Sequence, residues 1–236
     1  MQFLTSLRKK NSFLRNKRFY AQFVRKGDLC FDIGANVGEK SAIFLALGAK
    51  VIAVEPQTRC MEHLNTLKRK YHDKIVIVNA AISDRSGEAG LYLGNVSEVS
   101  TLSEKFMSEF GKHGVLQWKD KEMVTTVTIN DLITKYGEPR FCKIDTEGYE
   151  WNIIAELNKR IPFIEFEYTP VFLNDTMECI KHISKLGATN FNFTKYEQPQ
   201  LVLPGWVNAE EIIRELAIVD RKIIHGNVFA RQDLGS

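Results

Sequence analysis

From residue 28 onward, short apolar runs alternate with longer segments in which apolar residues recur every three or four positions. The first pattern is typical of buried strands and the second of amphipathic helices, which predicts strand–helix–strand units and a mostly parallel sheet. About seven strands and five or six helices fit one doubly wound α/β domain. The predicted strands are 29–31, 51–54, 75–78, 141–144, 163–168, 190–194 and 227–230, and the clearest helices are 42–47, 61–71, 151–157, 177–186 and 212–219.

Residues 94–123 interrupt this alternation. The segment is polar and irregular and contains Gly94, Gly111 and Gly114. Long segments of this kind inside a compact domain are usually functional loops. We therefore predict a variable insert at 94–123 that acts as a lid or substrate loop.

The composition excludes several classes of protein. With 236 residues, 44% of them hydrophobic and 26% charged, the chain is too apolar to be disordered. Its longest apolar run, 42–49, is too short to span a membrane, and the N-terminus lacks the features of a secretory signal. The cysteines are far apart, which argues against a disulfide framework or a zinc site and favours buried free thiols in the cytoplasm. They are Cys30, Cys60, Cys142 and Cys179.

The charge is unevenly distributed. Residues 1–27 carry eight Lys or Arg and no acid, whereas the rest of the chain holds 24 basic and 29 acidic residues. We predict a basic helical arm at 1–27 and a single domain at 28–236. The arm could contact nucleic acid or an anionic membrane surface. We favour a helix that packs on its own domain and keeps its charges in water. Its apolar contacts would come from Phe13, Phe19, Tyr20, Phe23 and Val24.

Candidate chemistry begins at the end of the first predicted strand. Asp32 is followed by a turn with Gly34 and Gly38, but Asn36 stands where a dinucleotide-binding turn has its second glycine. An ionised Asp32 accepts hydrogen bonds only, so it suits an ammonium or a water better than a phosphate. Glu55 ends the second strand, where a carboxylate can bind the hydroxyls of a ribose. The two acids therefore indicate a nucleoside ligand with a positively charged end, such as S-adenosylmethionine.

Five segments together resemble the FkbM family of methyltransferases. They are Asp32–Gly38, Val54–Pro56, Asn79–Asp84, Lys143–Glu150 and Gly226–Ala230. The resemblance runs from about residue 28 to 230 and implies a class I, Rossmann-like methyltransferase fold. It also implies S-adenosylmethionine as cofactor and methyl transfer to oxygen, commonly a hydroxyl of a sugar or another small molecule.

The resemblance also assigns the cofactor-binding residues. The methionine end of the cofactor would lie against the glycine-containing turn, the ribose would bind Glu55, and the adenine would lie against Ala80–Ile82, which contains Ala81. The turn residues are Asp32, Gly34, Ala35, Asn36 and Gly38. Asn227 matches the family pattern only loosely. The resemblance does not identify the molecule that accepts the methyl group.

The fourth motif supplies candidate catalytic acids. Asp145 lies at the carboxyl end of a predicted strand, where such sheets bind ligands, and we expect it to be catalytic or to bind the cofactor. Glu147 and Glu150 follow in the turn and in the first turn of the next helix. These acids could deprotonate a hydroxyl or hold a divalent metal that does so. Glu147 could instead only favour the start of the next helix. On the following strand we expect Glu165 to pair with Lys143 and Glu167 to face the substrate.

Three other functions compete with small-molecule O-methylation. An RNA ribose methyltransferase would use the basic arm, but the Lys-Asp-Lys-Glu arrangement expected of it is not evident and the body is net acidic, so a nucleic-acid partner is disfavoured. A non-catalytic cofactor-binding or interaction protein of the same fold is a second alternative. A dehydrogenase is the weakest, because the turn lacks the dinucleotide spacing. The five histidines are scattered, and we assign none of them a role.

Overall fold

A computed structural model describes residues 2–113, 116–220 and 225–232, with side chains from residue 10 onward and without that of His113. The strands in this part of the chain are β1 (Leu29–Ile33), β2 (Lys50–Val54), β3 (Ile75–Val78), β4 (Ala81–Ile82), β5 (Gly87–Gly94), β6 (Trp118–Val127), β7 (Phe141–Ile144), β8 (Phe163–Tyr168), β9 (Ala188–Lys195) and β10 (Gly226–Gln232). The α-helices are α1 (Gln2–Tyr20), α2 (Glu39–Ala46), α3 (Met61–Tyr71), α4 (Glu104–Phe110), α5 (Ile129–Tyr136), α6 (Glu150–Glu156), α7 (Leu173–Lys185) and α8 (Ala209–Ala217).

Seven strands form the main sheet, in the order β3-β2-β1-β7-β8-β10-β9. The neighbouring pairs from β3 to β8 are all parallel, while β10 runs antiparallel to both β8 and β9. This confirms the predicted α/β class and the mostly parallel seven-stranded sheet. The strand order reverses direction next to β1, which is the position where sheets of this type open a ligand crevice.

The two faces of the sheet differ because side chains alternate along each strand. One face is apolar, with residues such as Phe31 and Phe166, and packs against α5 to α8. The other face packs against α1 to α3 but carries polar side chains at its centre. Asp32 pairs in register with Lys143, and Lys143 pairs with Glu165. All three are buried, so this row of charges needs partners within the fold.

The expectation of an irregular insert at 94–123 is wrong for much of that segment. It contains the end of β5, the whole of α4 and the start of β6, which pairs with β4 and β5 in a second, three-stranded sheet. The Ser103 hydroxyl caps α4 by accepting a hydrogen bond from Phe106 N at 3.1 Å. The start of β6 is polar and mostly solvent-exposed, so the run lacks the apolar signal on which a strand prediction depends.

The described part of the basic segment packs on the main sheet. Phe19, Tyr20, Phe23 and Val24 are all buried there, and the Phe23 ring stacks on Phe229 at 5.2 Å. Among the described residues, no helix combines the length and the apolar character needed to cross a membrane. The division of the chain at residue 27 stays a prediction, but residues on both sides of it share one core cluster.

A hydrogen bond links α1 to the buried row of charges on the main sheet. The Tyr20 hydroxyl donates a hydrogen bond of 2.9 Å to Glu165 Oε1, and both side chains are buried. The second carboxylate oxygen of Glu165, Oε2, has no hydrogen-bond partner among the described residues. Tyr20 is therefore the hydrogen-bond donor that this carboxylate depends on.

We expect Tyr20→Phe to lower the free energy of unfolding by about 1–3 kcal/mol, because it leaves a buried carboxylate without its donor. Denaturant unfolding of both proteins measures the difference. The matched control is Tyr92→Phe, which removes an exposed 3.0 Å bond to Glu104 and should cost well under about 1 kcal/mol. Equal costs for the two variants would contradict a special role of the Tyr20–Glu165 contact.

Candidate active site

A cavity of about 310 Å³ opens at the carboxyl ends of β1, β2, β7 and β8. Its volume lies at the lower end of the range usual for small-molecule sites. The walls come from the turn after β1, the end of β2, the segment around β4, residues 97–102 and the loop after β7. Four of the five segments that carry the sequence motifs therefore meet in one place, and Gly226–Ala230 is the exception.

The turn after β1 brings the backbone close to β7. The backbone N–H groups of Gly34 and Ala35 both donate to the Val54 carbonyl at 3.0 Å. Gly34 has a φ of 77°, and a Cβ at this position would lie 1.7 Å from the Asp145 carbonyl oxygen. Only glycine fits here, and it allows the turn to lie directly against the backbone of Asp145.

Asp32 contributes a buried carboxylate to the cavity wall. Its Oδ2 accepts a 2.6 Å hydrogen bond from the Ser41 hydroxyl on α2, while Oδ1 has no hydrogen-bond partner in the described part of the chain. Burial raises the pKa of this carboxyl, although Lys143 and the Ser41 hydroxyl both act to lower it. The unpartnered oxygen is suited to an ammonium group or to a water bound between ligand and protein.

Glu55 is held in place by its own loop. Its Oε1 accepts hydrogen bonds from the backbone N–H and the side-chain amide of Gln57, at 2.8 and 3.0 Å, and its Oε2 accepts from Asn36 N at 2.8 Å. Burial raises the pKa of the carboxyl and these donors lower it. An ionised carboxylate has about four acceptor positions. These hydrogen bonds use three of them, and one remains on Oε2 for a ligand hydroxyl.

An apolar wall and part of the insert face this carboxylate. Ala80, Ala81 and Ile82 line the cavity, as do residues 97, 98 and 100–102. The insert is tied to the loop after β2 because Arg59 donates to the Gly94 and Val96 carbonyls and to the Ser100 hydroxyl. This part of the segment thus forms a fixed wall of the cavity.

The loop after β7 presents two acids to the cavity, and β8 presents a third. Oxygen atoms of Asp145, Glu147 and Glu167 lie within 4.8 Å of one another. Glu147 has a φ of 56°, which is unusual for a residue with a side chain. Burial raises the pKa values of Glu147 and Glu167, and the neighbouring carboxylates raise them further.

Glu150 has a supporting role in this loop. Its carboxylate accepts hydrogen bonds from the backbone N–H groups of Thr146 and Gly148, at 2.7 and 3.1 Å, and from the Thr146 hydroxyl at 3.0 Å. Burial raises the pKa of Glu150 to about 7. Glu150 therefore shapes the turn that carries Glu147 and uses its own oxygens to do so.

The direct pair expected between Lys143 and Glu165 is wrong. The Lys143 ammonium instead contacts Asp145 Oδ2 at 2.5 Å, and Glu165 is bonded to Tyr20. Lys143 and Glu165 are neighbours in register, but Asp145 lies two residues further along the same strand face and is also within reach. Several acids surround this buried lysine, and it forms an ion pair with one of them. The sequence alone does not show which acid that is.

Sequence reasoning missed three residues of the wall. Lys40 on α2 forms an ion pair with Glu197, and both line the cavity together with His225. His225 Nδ1 lies 3.7 Å from Glu167 Oε1. Their sequence positions carry no signal, because Lys40 and Glu197 are 157 residues apart and His225 merely precedes a strand.

The lining is strongly acidic. It includes eight carboxylates and two lysines besides His225. Electrostatics alone therefore favour a ligand with positive charge. A sulfonium nucleoside with an ammonium group meets this requirement, and the unpartnered Asp32 oxygen and the free acceptor position on Glu55 fit its two polar ends.

Comparison with known proteins agrees with this chemistry. The family model described as the methyltransferase FkbM domain matches residues 32–193. This is more than half of the chain. The chain belongs to the FkbM methyltransferase family. No protein of curated function matches its sequence.

One solved structure shares the fold at low sequence identity, and a second is similar to this chain more weakly. The FkbM methyltransferase from Methylobacillus flagellatus KT is 13% identical, with a TM-score of 0.53 over 91% of this chain and 50% of that one. An S-adenosylmethionine-dependent O-methyltransferase from Thermotoga maritima is 14% identical, with a TM-score of 0.46 over 93% and 65% of the two chains. The present chain spans about half the length of the FkbM structure, so the likeness establishes the class I methyltransferase fold alone.

Most positions assigned from the FkbM resemblance line the cavity. The lining includes Asp32, Gly34, Ala35, Asn36, Glu55, Ala81 and Asp145. Gly38 is the exception, since it is buried at the start of α2, where an added Cβ would meet Leu67 and Leu64 of α3 at 2.6 and 2.9 Å. Gly38 thus permits close packing of two helices behind the turn.

Proposed function

We propose that this FkbM family member is an S-adenosylmethionine-dependent O-methyltransferase that acts on a hydroxyl of a small molecule, such as a sugar. One observation carries the proposal: four of the family's five motif segments contribute residues to one acidic cavity at the carboxyl edge of the sheet. When bound, S-adenosylmethionine supplies an electrophilic methyl group on a positively charged sulfur.

The residues around the cavity suit the parts of that cofactor. Asp32 Oδ1 would accept from its ammonium group or from a water beside it, and Glu55 Oε2 would accept from a ribose hydroxyl. The small side chains of Ala80 and Ala81 leave a flat apolar surface against which an adenine could lie. Gly34 would let the turn that faces the methionine end lie directly against the Asp145 backbone.

The acceptor would lie beside Asp145, Glu147 and Glu167. In an in-line displacement the acceptor oxygen would bond to the methyl carbon while the methyl–sulfur bond breaks and S-adenosylhomocysteine leaves, and the hydroxyl proton would pass to a nearby base. Asp145 is bonded to Lys143, which leaves Glu147 and Glu167 as the freer carboxylates. Their raised pKa values make them stronger bases once they are ionised.

The same charges argue against RNA as the acceptor. A polynucleotide brings one negative charge per nucleotide, and proteins bind it with clustered Lys and Arg. The cavity has eight carboxylates against two lysines, so phosphates would be repelled from the reacting edge. A neutral polyhydroxylated molecule meets no such barrier.

Calorimetric titration with S-adenosylhomocysteine tests the cofactor assignment. We expect a dissociation constant on the order of 1 μM, or about −8 kcal/mol, and no binding of NAD. Glu55→Gln should weaken binding by about 10–100-fold, because it removes a charged acceptor from the ribose position. Glu39→Gln is the matched control, since Glu39 lines the cavity but is exposed at the start of α2.

The acceptor is then sought with methyl-labelled S-adenosylmethionine and a panel of small hydroxyl compounds. Label transferred to a sugar or another small molecule would support the proposal. Label transferred to RNA and to no small molecule would overturn it in favour of a ribose methyltransferase. Binding of S-adenosylhomocysteine without transfer to any acceptor would favour a non-catalytic member of the fold.

A further inference from the structure

Three carboxylates from two separate elements converge at the carboxyl edge of the sheet. Asp145 and Glu147 belong to the loop after β7, and Glu167 belongs to β8. One oxygen of each lies within 4.8 Å of the other two. Divalent ions bind oxygen ligands at about 2.0–2.6 Å, so the ligands of one ion lie no more than about 5 Å apart.

The Glu167 carboxylate lacks the partners that a buried charge requires. Its side chain is only 10% exposed, and Oε2 has no hydrogen-bond partner among the residues that the structure describes. Its Oε1 lies 3.7 Å from His225 Nδ1, which is too far for a hydrogen bond. Burying a carboxylate in this way is costly unless a ligand completes its coordination.

The local charges also leave room for a cation. Lys143 is in direct contact with Asp145, where it bonds to one carboxylate oxygen, and it acts on Glu147 and Glu167 through its charge. The other nearby lysine, Lys40, is paired with Glu197. The three acids together with Lys143 therefore carry a net charge of −2 when all are ionised, which one divalent ion would neutralise.

We propose that Asp145, Glu147 and Glu167 form a binding site for one divalent cation of the hard, oxygen-preferring class, such as Mg²⁺ or Mn²⁺. Carboxylate ligands without a neighbouring thiolate favour such ions over zinc. The coordination positions that face the cavity would be filled by water or by the acceptor hydroxyl. Binding of the ion stands independently of the proposed reaction, whereas its place next to the acceptor rests on it.

Titration with Mn²⁺ followed by electron paramagnetic resonance tests the site, because the signal of free Mn²⁺ decreases as the ion binds. The full chain, freed of metal with a chelator and dialysed, should bind about one Mn²⁺, and added Mg²⁺ should displace it. Glu147→Gln and Glu167→Gln should each weaken binding by about tenfold or more, since each removes one charged ligand. Glu98→Gln is the matched control, because Glu98 lines the same cavity and is exposed on its rim.

The outcomes separate this site from the proposed reaction. Saturable binding that is weakened by Glu147→Gln or Glu167→Gln and unchanged by Glu98→Gln would support the site, with circular dichroism used to confirm that each variant is folded. Absence of saturable Mn²⁺ binding to the folded wild type would overturn it, as would equal weakening by Glu98→Gln. S-adenosylhomocysteine binding is measured on the same metal-free protein, so a failure of the metal site leaves the cofactor result intact.

Discussion

Gly34→Ala should abolish detectable binding of S-adenosylhomocysteine and lower the free energy of unfolding by about 3 kcal/mol or more. The added Cβ would lie 1.7 Å from the Asp145 carbonyl oxygen and 2.9 Å from its carbonyl carbon. Both are backbone atoms at the end of a buried strand, so neither can move without displacing the loop that carries the acids. The φ of 77° adds strain of its own. Calorimetry and denaturant unfolding measure the two effects.

A substitution at another glycine distinguishes the effect of backbone strain from the effect of atomic overlap. Gly27 has a φ of 90°, but a Cβ there would meet no atom within 4 Å. Gly27→Ala should therefore cost about 1 kcal/mol and leave cofactor binding unchanged. If Gly34→Ala behaved like Gly27→Ala, the close approach of the turn to β7 would not matter for the site.

Strands with at least one wholly apolar face could be predicted from the sequence. The bounds predicted for β3, β7 and β8 agree with the structure, because apolar residues occupy at least every second position along each of them and mark the face that packs in the core. The candidate cofactor acids could be placed for a related reason. Asp32 and Glu55 lie at the carboxyl ends of adjacent parallel strands, and such ends meet at one edge.

What the sequence did not reveal depends on contacts between distant residues. The polar, half-exposed β6 is stabilised by its pairing with β5, so its own residues carry little strand signal. Glu165 could be recognised as a buried acid on a strand, but its donor, Tyr20, lies 145 residues away. His225 enters the cavity wall only because β10 inserts between β8 and β9.

The buried lysine between these acids is expected to be essential for stability. Lys143 is 3% exposed, contacts Asp145 at 2.5 Å and also interacts electrostatically with Glu165, Glu197 and Asp32. Replacing it with methionine keeps an unbranched, flexible side chain and removes the charge. We expect Lys143→Met to lower the free energy of unfolding at neutral pH by about 3–5 kcal/mol, because several buried carboxylates lose their counter-charge.

The loss of unfolding free energy in Lys143→Met should change with pH in one direction. Burial raises the pKa of Glu165 to about 7 even with Lys143 opposing it, and removal of the lysine raises it further. A carboxyl whose pKa is higher in the folded state stabilises the fold below its unfolded pKa, and this stability is lost as the pH rises through the folded value. The deficit of Lys143→Met should therefore be smaller at about pH 5.5 than at about pH 8.5.

Denaturant unfolding of wild type and variant across that range measures the deficit. Lys105→Met is the matched control, because it removes an exposed ion pair with Asp175 and should cost about 1 kcal/mol or less at every pH. A deficit for Lys143→Met that is equally small, or that does not change with pH, would show that the buried acids do not depend on this lysine. A large deficit that shrinks in acid would identify Lys143 as the charge that allows acidic groups to gather at this edge of the sheet.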